Sequence, residues 1–423
     1  MYYRFTALHH AHARPSATSP LFIGNMTKLD LDARLGAILA QNYPKFSPGE
    51  YARRHRLLAD VMASAEVDDL LVVTDHKAGS APQWLTGWPG TNEAYVIFRP
   101  GEKMKMTVEW VNHAALASRI ASDIDVEWGE HRGIQKAVAE LKRRGTRHVG
   151  VIGPLLVPKW RQLEAHFRVS ALDADYARLR AIKSEEEIDW LRIGAALSDL
   201  GLDALVRETR PGLNERELGD IVERAYGPYG GTTLIHYIGV TSMAAPHLFV
   251  PPQYHSMRKV QAGDVVTCEL SALWWWDYPG QVLRTFSVEA DPTPLYRELH
   301  AVAEGAFDAV TSVVRAGTAA RALFDATRVI EEKGFTVCDD VVHGFCGGYL
   351  QPVLGSRSRP GGPPPPDMAL EENMTLVVQP NVITSDRTAG VQVGELIRVT
   401  RTGFEQLHRA KRGFLRAGES FLV

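Results

Sequence analysis

Residues 260–285 read VQAGDVVTCELSALWWWDYPGQVLRT, the pattern of two strands joined by a turn. An Ala-Gly-Asp turn signal precedes a run rich in β-branched residues, which predicts a strand over 265–270. The apolar run over 282–286 predicts its partner strand. Glu269 stands in mid-strand, where an apolar side chain is expected. Because burying an ionised carboxylate is costly unless it is paired, Glu269 faces either solvent or a functional site.

The composition is that of an ordinary soluble globular protein. The chain has 423 residues, 45% hydrophobic and 23% charged, with a formal net charge of −3, and the length predicts two or three domains. This charge gives no indication of a nucleic acid or an acidic membrane as partner. The three cysteines are too few for a disulfide framework, and no apolar run reaches the ~18 residues of a membrane span. We therefore expect a cytoplasmic protein with neither kind of partner.

The stretch around Glu269 resembles the central hairpin of the pita-bread proteins, the family of creatinase, prolidase, aminopeptidase P and methionine aminopeptidase. Four further segments continue the resemblance, which covers residues 50–407. They are AAPH at 244–247, HGFCGG at 343–348, MTLVVQP at 374–380 and GVQVGE at 390–395. The resemblance implies an N-terminal creatinase-like α/β domain followed by a C-terminal pita-bread domain with a curved antiparallel sheet. It also implies a homodimer.

The chain divides into three predicted segments. Residues 1–45 match no pattern and are expected to form a solvated N-terminal extension, the alternative being a short metal-binding histidine tract at His9, His10 and His12. Residues 46–178 alternate helices and strands, which predicts an α/β domain. Residues 179–423 form the predicted catalytic domain. The main predicted elements are a helix capped by Ser47, strands over 70–74, 95–98, 105–109 and 148–152, a helix over 134–144, and helices beginning at Ser184 and Asn214.

The metal-binding positions of the family are mostly altered in this chain. In the metal-dependent members, five side chains bind a pair of metal ions. The resemblance places these positions at Glu269, Gln281, His343, Gln379 and Gly394. One carboxylate remains, and neutral amides are poor ligands for hard cations, so we expect no metal and no other cofactor. The alternative is a single metal held by Glu269, His343 and Glu395, which stands next to the last family position.

The resemblance implies that Glu269, His247 and His343 are catalytic. His247 matches a loop histidine that contacts substrate across the family and transfers the proton in creatinase, and His343 matches a metal ligand of the peptidases. Histidine suits acid–base catalysis because its unperturbed pKa is about 6.5. We predict that His247 transfers the proton and that Glu269 orients it or binds the substrate. The alternatives are a core histidine for His343 and a loop histidine without a role for His247.

Five further residues are predicted to bind the substrate: Gln281, Gln379, Glu395, Trp276 and Cys346. The two glutamines each offer a hydrogen-bond donor and an acceptor. Trp276 would share a face with Trp274 if the chain were extended, and its ring can line a pocket or contact a cation; packing or a dimer contact is the alternative. Cys346 lies in a glycine-rich stretch whose amides could bind an oxyanion, although a buried, inert thiol is more common.

The leading prediction is a metal-independent, creatinase-like enzyme. It would be a hydrolase or a lyase that cleaves a C–N or similar bond of a small-molecule substrate by histidine acid–base catalysis. Two alternatives stay open. One is a non-catalytic pita-bread module that binds a peptide or a protein. The other is a residual metallohydrolase of the Xaa-Pro peptidase type.

Overall fold

The computed structural model describes residues 29–121, 123–359 and 362–422. Most of the predicted N-terminal extension, with His9, His10 and His12, lies outside these ranges. Its last part forms a short helix, α1 (Ala33–Leu39), capped by the side chain of Asp32. None of the described helices is long and apolar enough to cross a membrane.

The next part of the chain forms a mixed sheet with helices on both faces. Within the described residues the strand order is β4-β3-β2-β1-β5-β6, and a separate hydrophobic cluster covers each face. The four predicted strands and the helix predicted over 134–144 are confirmed to within one residue at each end, and the helix capped by Ser47 begins where predicted. The elements are α2 (Pro48–Ala65), β1 (Asp69–Thr74), α3 (Ala81–Thr86), β2 (Ala94–Phe98), β3 (Met104–Val108), α4 (Val111–Ile120), β4 (Ile124–Trp128), α5 (Gly133–Arg143), β5 (His148–Ile152), α6 (Val157–Glu164), β6 (Arg168–Ala171) and α7 (Asp173–Ala181).

The rest of the chain forms the expected curved antiparallel sheet, in the order β13-β12-β14-β16-β10-β8-β7. Helix α8 begins with the predicted capping box of Ser184 and Glu187. The elements are α8 (Glu185–Glu208), α9 (Glu215–Tyr226), a 3-10 turn (Gly227–Tyr229), β7 (Thr232–Ser242), β8 (Asp264–Trp274), β9 (Tyr278–Pro279), β10 (Val282–Ser287), α10 (Pro294–Val313), α11 (Ala320–Ala326), α12 (Val329–Glu332), β11 (Thr336–Val337), β12 (Val342–Phe345), β13 (Tyr349–Leu354), β14 (Thr375–Val378), β15 (Val382–Ile383), β16 (Gly394–Val399), β17 (Phe404–Gln406) and β18 (Leu415–Arg416).

The central hairpin is longer than predicted, and its turn is tighter. Strand β8 continues to Trp274, which is buried and packs edge-on against Trp190 at 4.9 Å between ring centroids. The chain then reverses through Trp275 and Trp276, whose φ angles of 43° and 77° are left-handed. The extended conformation that would place Trp274 and Trp276 on one face therefore does not occur. The chain has to turn there so that Tyr278 pairs back onto β8.

A buried ion cluster joins the two sheets. The guanidinium of Arg54, on α2, is fully buried and lies 2.7 Å from Glu50 and 3.2 Å from Glu187, at the start of α8. It also donates to the carbonyl oxygen of Trp84 at 2.7 Å and to the hydroxyl of Tyr278 at 3.2 Å. One cation thus satisfies acceptors from α2, α3, α8 and the central hairpin. Removing it would leave two buried carboxylates with fewer partners.

We expect the substitution Arg54→Met to lower the free energy of unfolding by about 3–5 kcal/mol, because breaking a buried pair leaves uncompensated charge. Chemical denaturation of the purified variant measures this loss. The matched control is Arg56→Met, two residues along the same helix and exposed, which should change stability by less than about 0.5 kcal/mol. Equal denaturation midpoints for the two variants would contradict the prediction.

Candidate functional site

Four side chains form a hydrogen-bonded chain at the centre of the curved sheet. The amide nitrogen of Gln281 donates to the Glu269 carboxylate at 2.7 Å and to the amide oxygen of Gln379 at 3.0 Å. The amide nitrogen of Gln379 in turn lies 3.3 Å from a carboxylate oxygen of Asp340. These residues come from β8 and from the segments beside β10, β14 and β12. Together with His343 they are called the polar cluster below.

His343 lies fully buried beside this chain. Its Nδ1 is 3.1 Å from the carbonyl oxygen of Gly344, which can only accept, so the network assigns the ring proton to Nδ1. Its Nε2 is 3.9 Å from the Asp340 carboxylate and has no hydrogen-bond partner among the described residues. The ring stacks on that of Tyr349 at 4.0 Å, and Tyr349 is half-exposed. The Nε2 atom of His343 is therefore a hydrogen-bond acceptor without a donor.

Burial shifts the protonation of the cluster toward its neutral forms. It raises the pKa of Glu269 from 4.5 to about 7, with a smaller contribution from the charge of Asp339. Burial also raises the pKa of Asp340 well above its ordinary value, helped by a hydrogen bond and repulsion from Asp339. It lowers the pKa of His343 to about 4. Near neutral pH the imidazole is uncharged and Glu269 is poised between its two protonation states.

The last family ligand position has no room for a side chain. A Cβ on Gly394 would lie 2.4 Å from the carbonyl oxygen of Val378 and 2.7 Å from the Cα of Gln379. The neighbouring Glu395 places its carboxylate outside the polar cluster, 2.6 Å from Arg284 and 2.9 Å from the amide nitrogen of Gln406. Glu395, predicted to bind substrate or a metal, thus lies in a separate ion pair.

The remaining donors do not fit the metal pair of the family. The five family positions supply one carboxylate, one imidazole and two amides, whereas hard cations favour several carboxylate oxygens. In the part of the chain that the structure describes, no group of three or more His, Cys, Asp and Glu side chains is placed to hold a metal ion. No reaction step is therefore assigned to a metal here.

His247 lies on the loop after β7. Its backbone N–H donates to the hydroxyl of Thr241 at 3.1 Å, and its Nδ1 is 3.0 Å from the same hydroxyl. Thr241 is four residues from Tyr237, which is paired directly with Glu269, so strand alternation puts all three on one face of the sheet. The exposed imidazole of His247 is thus held further along that face, away from the hydrogen bonds of the cluster.

Cys346 and Trp276 lie at the boundary between the two sheets. The thiol of Cys346 is buried 2.9 Å from a guanidinium nitrogen of Arg180, and burial raises its pKa, so it stays protonated. Trp276 lines a groove of about 850 Å³ together with Trp275 and Tyr176. The groove and the polar cluster are formed by different side chains.

The sequence analysis missed Asp340, Tyr237 and Tyr349. Asp340 follows Asp339 directly and stands three residues before His343. The sequence feature that points to Asp340 is this acidic pair directly before a short apolar strand. Tyr237 and Tyr349 carried no signal, because their positions beside Glu269 and His343 follow from strand pairing alone.

The two sheets and the polar cluster on the central hairpin define a pita-bread protein with a candidate hydrolase site. Metallopeptidase family M24 matches residues 189–401, half of the chain, so the chain belongs to that family. It is 24% identical over 277 residues to the Xaa-Pro dipeptidase of Pyrococcus furiosus, covering 64% of this chain and 76% of that protein.

Solved structures agree on the fold. An Xaa-Pro dipeptidase from Bacillus anthracis superposes with a TM-score of 0.74 at 20% identity, covering 86% of this chain and 99% of that one. The prolidase from Pyrococcus horikoshii gives 0.73 at 19% identity, covering 86% and 100%. The resemblance to the pita-bread family and the predicted fold class are therefore confirmed.

The leading functional prediction is wrong. The matched family is one of metallopeptidases, and the named relative is an Xaa-Pro dipeptidase, so a metal-independent, creatinase-like enzyme is not supported. The alternative of an Xaa-Pro peptidase-type hydrolase fits the comparisons better. The altered side chains at a few metal positions do not outweigh the match of the whole domain over residues 189–401. The family indicates a hydrolase of peptidase type, with a small peptide as substrate class.

The raised pKa of Glu269 makes stability depend on pH. The folded protein keeps a proton on this carboxyl between pH 4.5 and about 7, and above that range the buried charge destabilises the fold. We expect Glu269→Gln, measured by denaturation in the presence of a chelator, to raise the free energy of unfolding at pH 8 by about 1–3 kcal/mol. At pH 5 the two proteins should differ little.

The control is Glu372→Gln, an exposed position, which should leave stability unchanged at both pH values. An equal gain from Glu269→Gln at pH 5 and pH 8 would show that the charge of Glu269 is not the cause.

Proposed function

We propose that this chain hydrolyses small peptides, as an enzyme of the Xaa-Pro dipeptidase type. The proposal rests on the positions of Glu269 and His343. Both lie in the polar cluster, Glu269 on the central hairpin and His343 on β12, at positions the family uses for catalysis. The match over residues 189–401 and the names of the relatives support the same class.

Each side chain has a distinct proposed role. An imidazole can accept a proton from water as the water oxygen attacks the carbonyl carbon, and can then donate that proton to the leaving nitrogen as the C–N bond breaks. His247 is the proposed residue for this transfer, because it is exposed on the face that carries Glu269. Glu269 binds the substrate, and Gln281 and Gln379 hold the carboxylates apart through their amide hydrogens.

The test is an assay of purified protein on a panel of Xaa-Pro dipeptides, run once with added Mn²⁺ and once after chelation. We expect proline release in at least one condition. His247→Ala should lower turnover by roughly 100- to 10,000-fold, the usual contribution of an acid–base residue. The control is His166→Ala, an exposed histidine of the N-terminal sheet region.

Near-normal turnover in His247→Ala would remove this residue from the mechanism. A complete absence of proline release in both conditions would contradict the proposed hydrolysis itself.

We also propose a cytoplasmic homodimer. The cysteines Cys268, Cys338 and Cys346 are all free, which supports a reducing compartment. The edge strand β4 carries Trp128, which is exposed near Trp110, and exposed aromatic residues beside an open sheet edge favour association. Sedimentation analysis should show a species of twice the chain mass.

A further inference from the structure

The polar cluster offers hydrogen-bond acceptors without matching donors. The amide nitrogen of Gln281 is committed to Glu269 and Gln379, and its oxygen is buried without a hydrogen-bond partner in the described structure. The Nε2 of His343 is likewise buried and unpartnered within the described ranges. Gln281 is 1% exposed and His343 is fully buried. A ligand that fits this site must therefore be rich in N–H donors.

The same site holds three carboxyl groups with little positive charge beside them. The carboxyl group of Asp340 is buried, that of Glu269 is partly exposed, and the side chain of Asp339 is 54% exposed at the rim. The described ion pairs of these three carboxylates are a 3.9 Å contact between Arg359 and Asp339 and one between Asp340 and the uncharged His343. Because burial favours the neutral forms of Glu269 and Asp340, a cationic ligand would shift both groups toward their ionised forms and compensate the resulting charge.

The spacing of the carboxylates favours a broad organic cation over a compact one. Two glutamine side chains separate Glu269 from Asp340, so the acceptors are spread along a row. Two rings border this row. Tyr237 is paired with Glu269 across the strands, and the hydroxyl of Tyr349 is 3.4 Å from Asp340. Aromatic rings add to the attraction of an organic cation.

We propose that the polar cluster binds a guanidinium or ammonium side chain of the substrate, so that the preferred peptides carry Arg or Lys before the scissile bond. This inference rests on the proposed function, because it takes the bound cation to be part of a substrate. An α-ammonium group, common to all dipeptides, supplies one charge and three N–H donors. A guanidinium supplies five donors in a plane, which matches a row of separated acceptors better.

Turnover and binding test the proposal separately. Turnover compares Arg-Pro with citrulline-Pro, which has nearly the same shape but no charge, and we expect kcat/KM to favour Arg-Pro by roughly 10- to 100-fold. Binding of agmatine, which has no peptide bond, is measured by calorimetry in the presence of a chelator. If no peptide is hydrolysed but agmatine binds, the proposed function fails and the cation site stands without a role in peptide selection. If peptides are hydrolysed without preference for Arg-Pro, this inference fails alone.

Two kinds of substitution at the site should change the affinity for agmatine in opposite directions. Asp339→Asn removes a negative charge at the rim, and Asp340→Asn removes a carboxyl group that a bound cation would ionise. Both substitutions should weaken binding, Asp340→Asn by roughly 10-fold or more. Arg359→Gln removes the cation beside Asp339 and should strengthen it. Because Asp339 and Arg359 are partly exposed, these two variants keep the test valid even if Asp340→Asn does not fold.

The control is Asp60→Asn, an exposed position on α2, which should leave agmatine binding unchanged. Unchanged binding in all the site variants would overturn the proposal. So would calorimetry in which Mn²⁺, but not agmatine, binds in a Glu269-dependent manner.

Discussion

The polar cluster depends on the register between β8 and β10. This pairing sets Glu269 opposite Leu283 and leaves Gln281 one step before the strand, within reach of the carboxylate. A slip of one residue would turn Glu269 to the other face of the sheet. The register is secured by close packing on α8. A Cβ at Gly194 would lie 2.2 Å from the carbonyl oxygen of Tyr278, and one at Gly280 would lie 2.4 Å from the Cα of Ala195, so backbone meets backbone there.

Within this frame the two glutamines give the site its chemistry. Carboxylates crowded together without cations repel one another, and a neutral amide placed between them relieves that repulsion. Gln281 and Gln379 do this in series, each donating its amide hydrogens toward a neighbouring acceptor. Their amide hydrogens are thereby used inside the cluster. What remains without a partner in the cluster is a set of acceptors, which is a physical property of this chain that the family name alone does not imply.

The sequence predicted local elements well and side-chain directions poorly. The capping box at Ser184, four strands of the first sheet and the central hairpin of the second follow from spacing and residue type, which act over a few neighbours. The direction of Glu395 does not, because pairing with β10 and β14 decides which face it occupies. Asp340 was missed for the same reason, since its burial depends on the packing of distant strands. The resemblance placed Glu269 and His343 by analogy, but it could not show that Gly394 lacks space for a ligand.

The ionisable groups of the polar cluster lower the stability of the fold, and this loss bears on the function of the site. Above about pH 7 the ionised Glu269 is held with little compensating charge, while the clusters of apolar side chains on both faces of the sheet offset that cost. Departures from good packing and charge balance concentrate at functional sites. A ligand that supplies the missing N–H donors and positive charge binds the folded state alone, and therefore stabilises it. The carboxylates without nearby positive charge and the acceptors without donors therefore both favour the ligand-bound state of this site.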